Sequence, residues 1–177
     1  MIGVLSYGIQ RIPYLEEFLG EPWVPLSFLH APRCEKVVGW GLRKAADRAR
    51  AYACSRGLAY VALEDGFLRS VGLGIHEPPL SIVVDDLGIY YDATSSSRLE
   101  SLIKIERPDC EEQRANTLMR LWRESQVSKY NHVRKISQGL PEQFVLVVDQ
   151  TYGDVSIRYG QANEASFTRM LNAALDQ

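Results

Sequence analysis

Cysteine and histidine are both scarce in this sequence of 177 residues. Cys34, Cys54 and Cys110 are odd in number, widely spaced and free of any CxxC pattern, which argues against a disulfide framework and a zinc site alike. A reducing, cytoplasmic setting is expected. His30, His76 and His132 are equally dispersed, with no HxxxH or HExxH spacing to set two imidazoles on one helical face, so no metal site is expected. No run of about 18 apolar residues occurs, and the start Met1-Ile2-Gly3-Val4-Leu5 lacks a basic segment followed by an apolar one. The chain is therefore expected neither to cross a membrane nor to carry a secretion signal. Charge of one sign is also missing: 20 Lys and Arg stand against 22 Asp and Glu, and the basic residues form no stripe, so nucleic acid is not an expected partner. With 46% hydrophobic and 24% charged residues and no excess of Pro or Gly, disordered and fibrous classes are excluded in favour of a packed protein.

What is present is an alternation of two periodicities, short β-branched runs and stretches with apolar residues at helical spacing, which predicts an α/β fold. Strands are expected at Ile2 to Tyr7, Lys36 to Trp40, Ala59 to Leu63, Ser81 to Val84, Ile89 to Tyr91 and Phe144 to Val148. Helices are expected from Pro13 through Phe18, from Arg43 to Arg56 with Gly57 as the stop, from Arg98 to Lys104 behind a serine cap, from Glu111 to Gln126, and from Glu164 to Leu175. Asp85-Asp86-Leu87-Gly88 reads as the turn of a β-hairpin, which would make the sheet mixed. The polar stretch from Ser137 to Gln143 reads as a linker (residues 137–143) between an amino-terminal α/β domain (1–136) and the opening strand and helix of a second domain (144–177). The continuous apolar run Phe144 to Val148 suits a strand covered on both faces, so the second domain is expected to need strands beyond these 177 residues.

Three apolar runs end in acids: Glu64-Asp65, Asp85-Asp86 and Asp149. The carboxyl ends of strands are where ligands bind in open α/β sheets. Asp85 and Asp86 read first as turn formers, and Asp149 reads equally as a loop-holding residue. Glu64-Asp65-Gly66-Phe67-Leu68-Arg69-Ser70 packs two carboxylates, a glycine and an arginine into one strand-exit loop. There Arg69 offers a planar fork for a carboxylate, and Glu64 can move a proton to or from a hydroxyl. The other reading of the same loop is an internal Arg69 ion pair that shapes it. Val71-Gly72-Leu73-Gly74 is a weak echo of a dinucleotide fingerprint, without the third glycine. Asp149 to Gly160 forms a second polar loop between an apolar run and an amphipathic helix, and its Asp154 reads either as a site carboxylate or as a turn residue bonded to its own backbone.

Glu64 to Ser70, Pro79 to Asp86 and Gly88 to Ala93 closely resemble the KpsC family of capsular polysaccharide β-Kdo glycosyltransferases. So do the Met1-Ile2-Gly3 opening with Arg11-Ile12-Pro13, the Ser128-Lys129-Tyr130-Asn131 run, and Val147 to Thr151 with Tyr159-Gly160, all in the family's order. The resemblance implies a Rossmann-like amino-terminal domain of a GT-B module, which recognises acceptor, and a carboxy-terminal domain that binds the nucleotide donor. It implies a retaining transferase that moves Kdo, an acidic eight-carbon sugar, from CMP-Kdo to a lipid-linked Kdo acceptor. Other capsule-assembly proteins at the cytoplasmic face of the inner membrane are the implied partners. Asp154 matches the family's nucleophile and Glu64 is the acid/base candidate. Arg69, Gln150 and Ser156 are the implied sugar contacts, and Asp65 and Ser70 join them as substrate-binding candidates in the same loops. The family's donor-binding histidine-proline segment is not among these residues, so activity is expected of the whole protein and not of this stretch alone.

The chemistry so implied is self-consistent. Departure of CMP from a keto-sugar leaves an oxocarbenium-like centre that a carboxylate can trap before the acceptor hydroxyl attacks, and two inversions retain configuration. A monophosphate leaving group develops less charge than a diphosphate, so neither a metal clamp nor a cofactor is expected. Two other readings remain open: a noncatalytic scaffold for capsule export, and an aspartate-based phosphohydrolase whose usual Asp-x-Asp spacing is missing. A transferase needs the Glu64 and Asp154 loops to converge, whereas a scaffold does not.

Overall fold

The computed structural model describes residues 1–27, 30–74, 77–132, 139 and 141–177. His76, and Ser137, Gln138 and Leu140 of the expected linker, lie outside the described residues. Five strands form one sheet: β1 (Ile2–Val4), β2 (Trp23–Pro25), β3 (Lys36–Trp40), β4 (Ala59–Asp65) and β5 (Ile82–Asp85), in the order β2-β1-β3-β4-β5. The first four are parallel, and β5 runs antiparallel to β4 with Leu63 opposite Val84 and Glu64 opposite Val83. The fold is thus α/β with a mixed, mostly parallel sheet.

Successive side chains of a strand point to opposite faces, and the core divides accordingly. Val38 packs with Ile2, Val4, Val61 and Leu63 on one face, beneath Ile9 and Leu15 of the short helices α1 (Tyr7–Gln10) and α2 (Leu15–Leu19). Val37 faces the other way, against Leu26 and the small residues Ala49 and Ala53 of α3 (Asp47–Arg56). Small side chains let α3 lie close to the sheet. A single 3-10 turn, Lys44–Ala46, leads into it, and Gly57 ends it in the left-handed conformation that glycine adopts without penalty (φ 63°).

Several expected elements come out differently. β1 stops at Val4 because the chain turns into α1, and β2 escapes sequence reading because it is a three-residue edge strand ending in a proline. Tyr14 sits left-handed ahead of α2, which begins two residues after Pro13. The expected hairpin is absent: β5 takes β4 as its partner, and Ile89 to Tyr91 is not a strand. The reason is Asp85, which is almost wholly buried (1% exposed) and whose carboxylate accepts the amides of Leu87, Gly88 and Arg98. It thereby folds the chain away from the sheet and delivers it to α4 (Arg98–Ile103), which Ser97 and Glu100 cap reciprocally. Asp86 pairs with Arg98 on the surface.

Phe144 to Val148 is likewise not a strand. Its five apolar residues are exposed, and no ladder forms beside them among the described residues. A strand exists only through pairing, so apolar character alone does not create one. The remaining helices are α5 (Asp109–Glu124), which precedes this run, and α6 (Val155–Tyr159) and α7 (Glu164–Leu175), which follow it, the last as expected from its pattern. No helix among the described residues is long and apolar enough to cross a membrane.

Candidate functional site

The carboxyl ends of β1, β3 and β4 open onto a cleft of about 590 Å³ lined by Ser6, Trp40, Arg43, Asp65, Arg69 and Tyr130, among others. Strand register puts the site there: Trp40 and Leu63 are partners, so Trp40 and Glu64 emerge side by side where the parallel strands end. Glu64 is buried (6% exposed) and accepts the Trp40 indole N–H at 2.9 Å. A Cβ placed on Gly41, which has φ 52°, would lie 3.0 Å from Glu64 Oε2 and would strike the Tyr91 hydroxyl, so the bare glycine is what lets these groups approach. The Tyr91 hydroxyl in turn accepts the amide of Leu42 at 2.9 Å.

Asp65, Arg69 and Ser70 form a tight cluster of their own. Arg69 donates from Nε to Asp65 Oδ1 at 2.9 Å, from Nη1 to Ser70 Oγ and the Glu77 carbonyl, and from Nη2 to the Gly74 carbonyl at 3.0 Å. Four of its five N–H groups are therefore taken by the protein. Ser70 is 2% exposed and donates to the Gly72 carbonyl. The Lys129 carbonyl accepts the amides of Arg69 and Ser70, and Asn131 bonds the backbone of Ser70 and Val71. The Ser128-to-Asn131 run thus acts as a strap on the strand-exit loop.

The second loop is organised by Asp154, which caps α6 by accepting the Ser156 amide at 2.9 Å, while Gln150 Nε2 donates to Ser156 Oγ at 2.9 Å. Three expected site residues are so joined, and two of them, Gln150 and Asp154, line a second cavity of about 400 Å³ together with Asp149, Tyr152 and Phe167. The Ser156 amide holds the Asp154 carboxyl below its usual pKa against the opposing effect of partial burial, with Arg43 and Lys129 adding to the depression. α6 was not legible in the sequence, because five residues are too few to show a period.

The two loops meet at a tyrosine pair. Tyr90 and Tyr91 pack edge to face, ring centroids 5.5 Å apart, and Phe67 of the first loop lies 5.8 Å from Tyr90. Burial pushes the pKa of both phenols up, and the charges of Glu64 and Asp154 both add to the rise at each. The backbone closes the same junction, since the Ala93 amide donates to the Tyr159 carbonyl of α6 at 3.0 Å. Sequence reading missed Trp40, Arg43, Tyr91 and Lys129 as site groups. Tyr91 and Lys129 lie inside the resembling runs, whereas Arg43 had no signal at all. Among the described residues no group of three His, Cys, Asp or Glu side chains could hold a metal ion.

Comparison with known proteins agrees with the resemblance of the motifs. Residues 35–121 match the family described as capsule polysaccharide biosynthesis protein. The chain is 42% identical over 181 aligned residues to the capsule polysaccharide modification protein LipA of Neisseria meningitidis serogroup A, covering 97% of this chain and 25% of LipA. It is 37% identical over 140 residues to the lipopolysaccharide-processing protein LpsZ of Rhizobium meliloti, covering 72% of this chain and 31% of LpsZ. The chain thus spans about a quarter to a third of the length of these curated relatives. Among solved structures, KpsC of Thermosulfurimonas dismutans, described as a beta Kdo 2,4 transferase, superposes with a TM-score of 0.87 at 43% identity, covering 99% of this chain and 56% of that one. A second KpsC structure from the same organism, described as a beta Kdo 2,7 transferase, gives a TM-score of 0.59 at 26% identity, covering 89% of this chain and 51% of that one. With its fold shared and both of its polar loops inside the matched length, this chain belongs to the capsule polysaccharide biosynthesis family.

Proposed function

We propose that the protein carrying this chain is a retaining β-Kdo glycosyltransferase that moves Kdo from CMP-Kdo to a lipid-linked Kdo acceptor in capsule assembly. The observation that carries this reading is the convergence of the Glu64 and Asp154 loops around Tyr90 and Tyr91, where Phe67 of the first loop lies 5.8 Å from Tyr90 and the Ala93 amide donates to the Tyr159 carbonyl of the helix that Asp154 caps. The likeness to the two Kdo transferases supports the sugar. In this reading the described residues belong to a two-domain GT-B arrangement, divided at residues 137–143, with the donor side continued by chain outside this sequence.

Asp154 acts as the nucleophile. Its lowered pKa keeps it ionised near neutrality, and with one oxygen fixed by the Ser156 amide the other is left to face the anomeric carbon. In the first step an Asp154 C–O bond to that carbon forms as the bond to the CMP phosphate breaks, and the electron pair leaves with CMP. In the second, an acceptor hydroxyl attacks, its proton passes to Glu64, and the Asp154 carboxylate departs. Gln150 and Ser156 hold the nucleophile's loop. Asp65, Arg69 and Ser70 shape the wall of the acceptor cleft, and Arg69 acts there chiefly through the loop it braces. The three free cysteines, two of them exposed, suit a reducing compartment, and we place the reaction at the cytoplasmic face of the inner membrane beside other capsule-assembly proteins.

The scaffold reading is favoured by one feature, the exposed apolar residues Leu118, Met119 and Trp122 of α5. The whole protein incubated with CMP-Kdo and a Kdo-primed lipid acceptor separates the two. The transferase reading predicts a product heavier by whole Kdo units in mass spectrometry, and a scaffold gives none.

A further inference from the structure

We propose that Arg43 is the anion-binding group of the cleft, the residue that takes the carboxylate of the acidic acceptor sugar through its guanidinium fork. This inference rests on the transferase reading for the identity of the sugar.

Three observations carry it. Arg43 stands at the carboxyl end of β3, three residues after Trp40, and lines the same cleft as Trp40, Asp65, Arg69 and Tyr130. Its side chain is exposed and forms no ion pair or hydrogen bond among the described residues, so all five donors are open to a ligand. Arg69, the arginine that the motif offered for this task, has one N–H left over and lies buried under the loop it braces. Asp65, the neighbouring carboxylate, is neutralised by that same Arg69 at 2.9 Å and does not compete for Arg43. The cleft therefore presents one unspent cation beside walls of Trp40, Tyr130 and Gly74, an apolar and partly bare surface suited to a sugar ring.

A fork-to-carboxylate pair of this kind contributes on the order of ten- to a hundred-fold in affinity. The test measures calorimetric binding of the methyl β-glycoside of Kdo and of its methyl ester to the whole protein, as wild type, Arg43→Gln and Arg43→Lys. The wild type is expected to bind the acid ten- to a hundred-fold more tightly than the ester. Arg43→Gln is expected to bind both with equal Kd and an unchanged Tm, and Arg43→Lys to keep part of the preference. Retention of the wild-type preference in Arg43→Gln overturns the inference, as does a wild type that does not prefer the acid. Equal weakening of acid and ester by Arg43→Gln also overturns it, since that is the signature of an arginine that only positions Asp154. The two readings fail separately: a wild type that prefers the acid yet transfers nothing from CMP-Kdo sinks the transferase reading alone, and an active enzyme whose preference survives Arg43→Gln sinks this one alone.

Discussion

Trp40 donates its indole N–H to Glu64 at 2.9 Å, so the last side chain of β3 holds the buried carboxylate near the end of β4. This pairing separates what Glu64 does for the fold from the acid/base role proposed for it. Trp40→Phe removes one hydrogen bond to a charged group and is expected to cost about 1.5–3 kcal/mol of stability in urea denaturation. Glu64→Gln keeps an acceptor oxygen for Trp40 and is expected to lose far less stability, yet to slow transfer to the acceptor by roughly 10²- to 10⁴-fold. Wild-type transfer by the purified Glu64→Gln protein removes Glu64 from the mechanism.

Arg69→Lys is expected to destabilise the protein by roughly 2–4 kcal/mol, because an ammonium cannot reproduce a fork that reaches Asp65, Ser70, Gly74 and Glu77 together. The folded fraction is expected to keep its Kd for the Kdo glycoside. Unchanged denaturation with weakened sugar binding contradicts this and restores Arg69 as a direct ligand.

Tyr60 gives a pH signature. Burial pushes its phenol up to about 12 from the usual 10, and its hydroxyl donates to the Gly41 carbonyl at 2.8 Å. A pKa raised on folding stabilises fully below the unfolded value and is lost as pH rises through the folded one. The Tyr60 contribution is therefore whole below pH 10, declines between pH 10 and about 12, and is gone above. The stability difference between wild type and Tyr60→Phe, measured by urea titration at each pH, is expected to shrink across that window. A constant difference contradicts the burial.

The sequence carried the parallel core well, because Lys36 to Trp40 and Ala59 to Leu63 are β-branched runs with helices between them, and local pattern suffices where each strand's partner is a neighbour in the sheet. It also marked both acidic loops. It failed where pairing or a single buried group decides: Asp85 turns Ile89 to Tyr91 out of the sheet and into the site, and Phe144 to Val148 lacks a ladder among the described residues. Trp40 and Arg43 were invisible as site groups because their role comes from strand register, which no local motif encodes.

Asp154 bears the central claim, and the covalent adduct is its most direct measurement. The whole protein given CMP-Kdo without acceptor is expected to accumulate one Kdo, which peptide mass spectrometry should place on Asp154. Asp154→Asn is expected to abolish both adduct and transfer with little loss of stability, because the amide oxygen can still accept the Ser156 amide at the start of α6. An adduct on Asp149 or Glu64, or an active Asp154→Asn enzyme with no adduct anywhere, contradicts the account and points to attack by the acceptor on the face that CMP leaves.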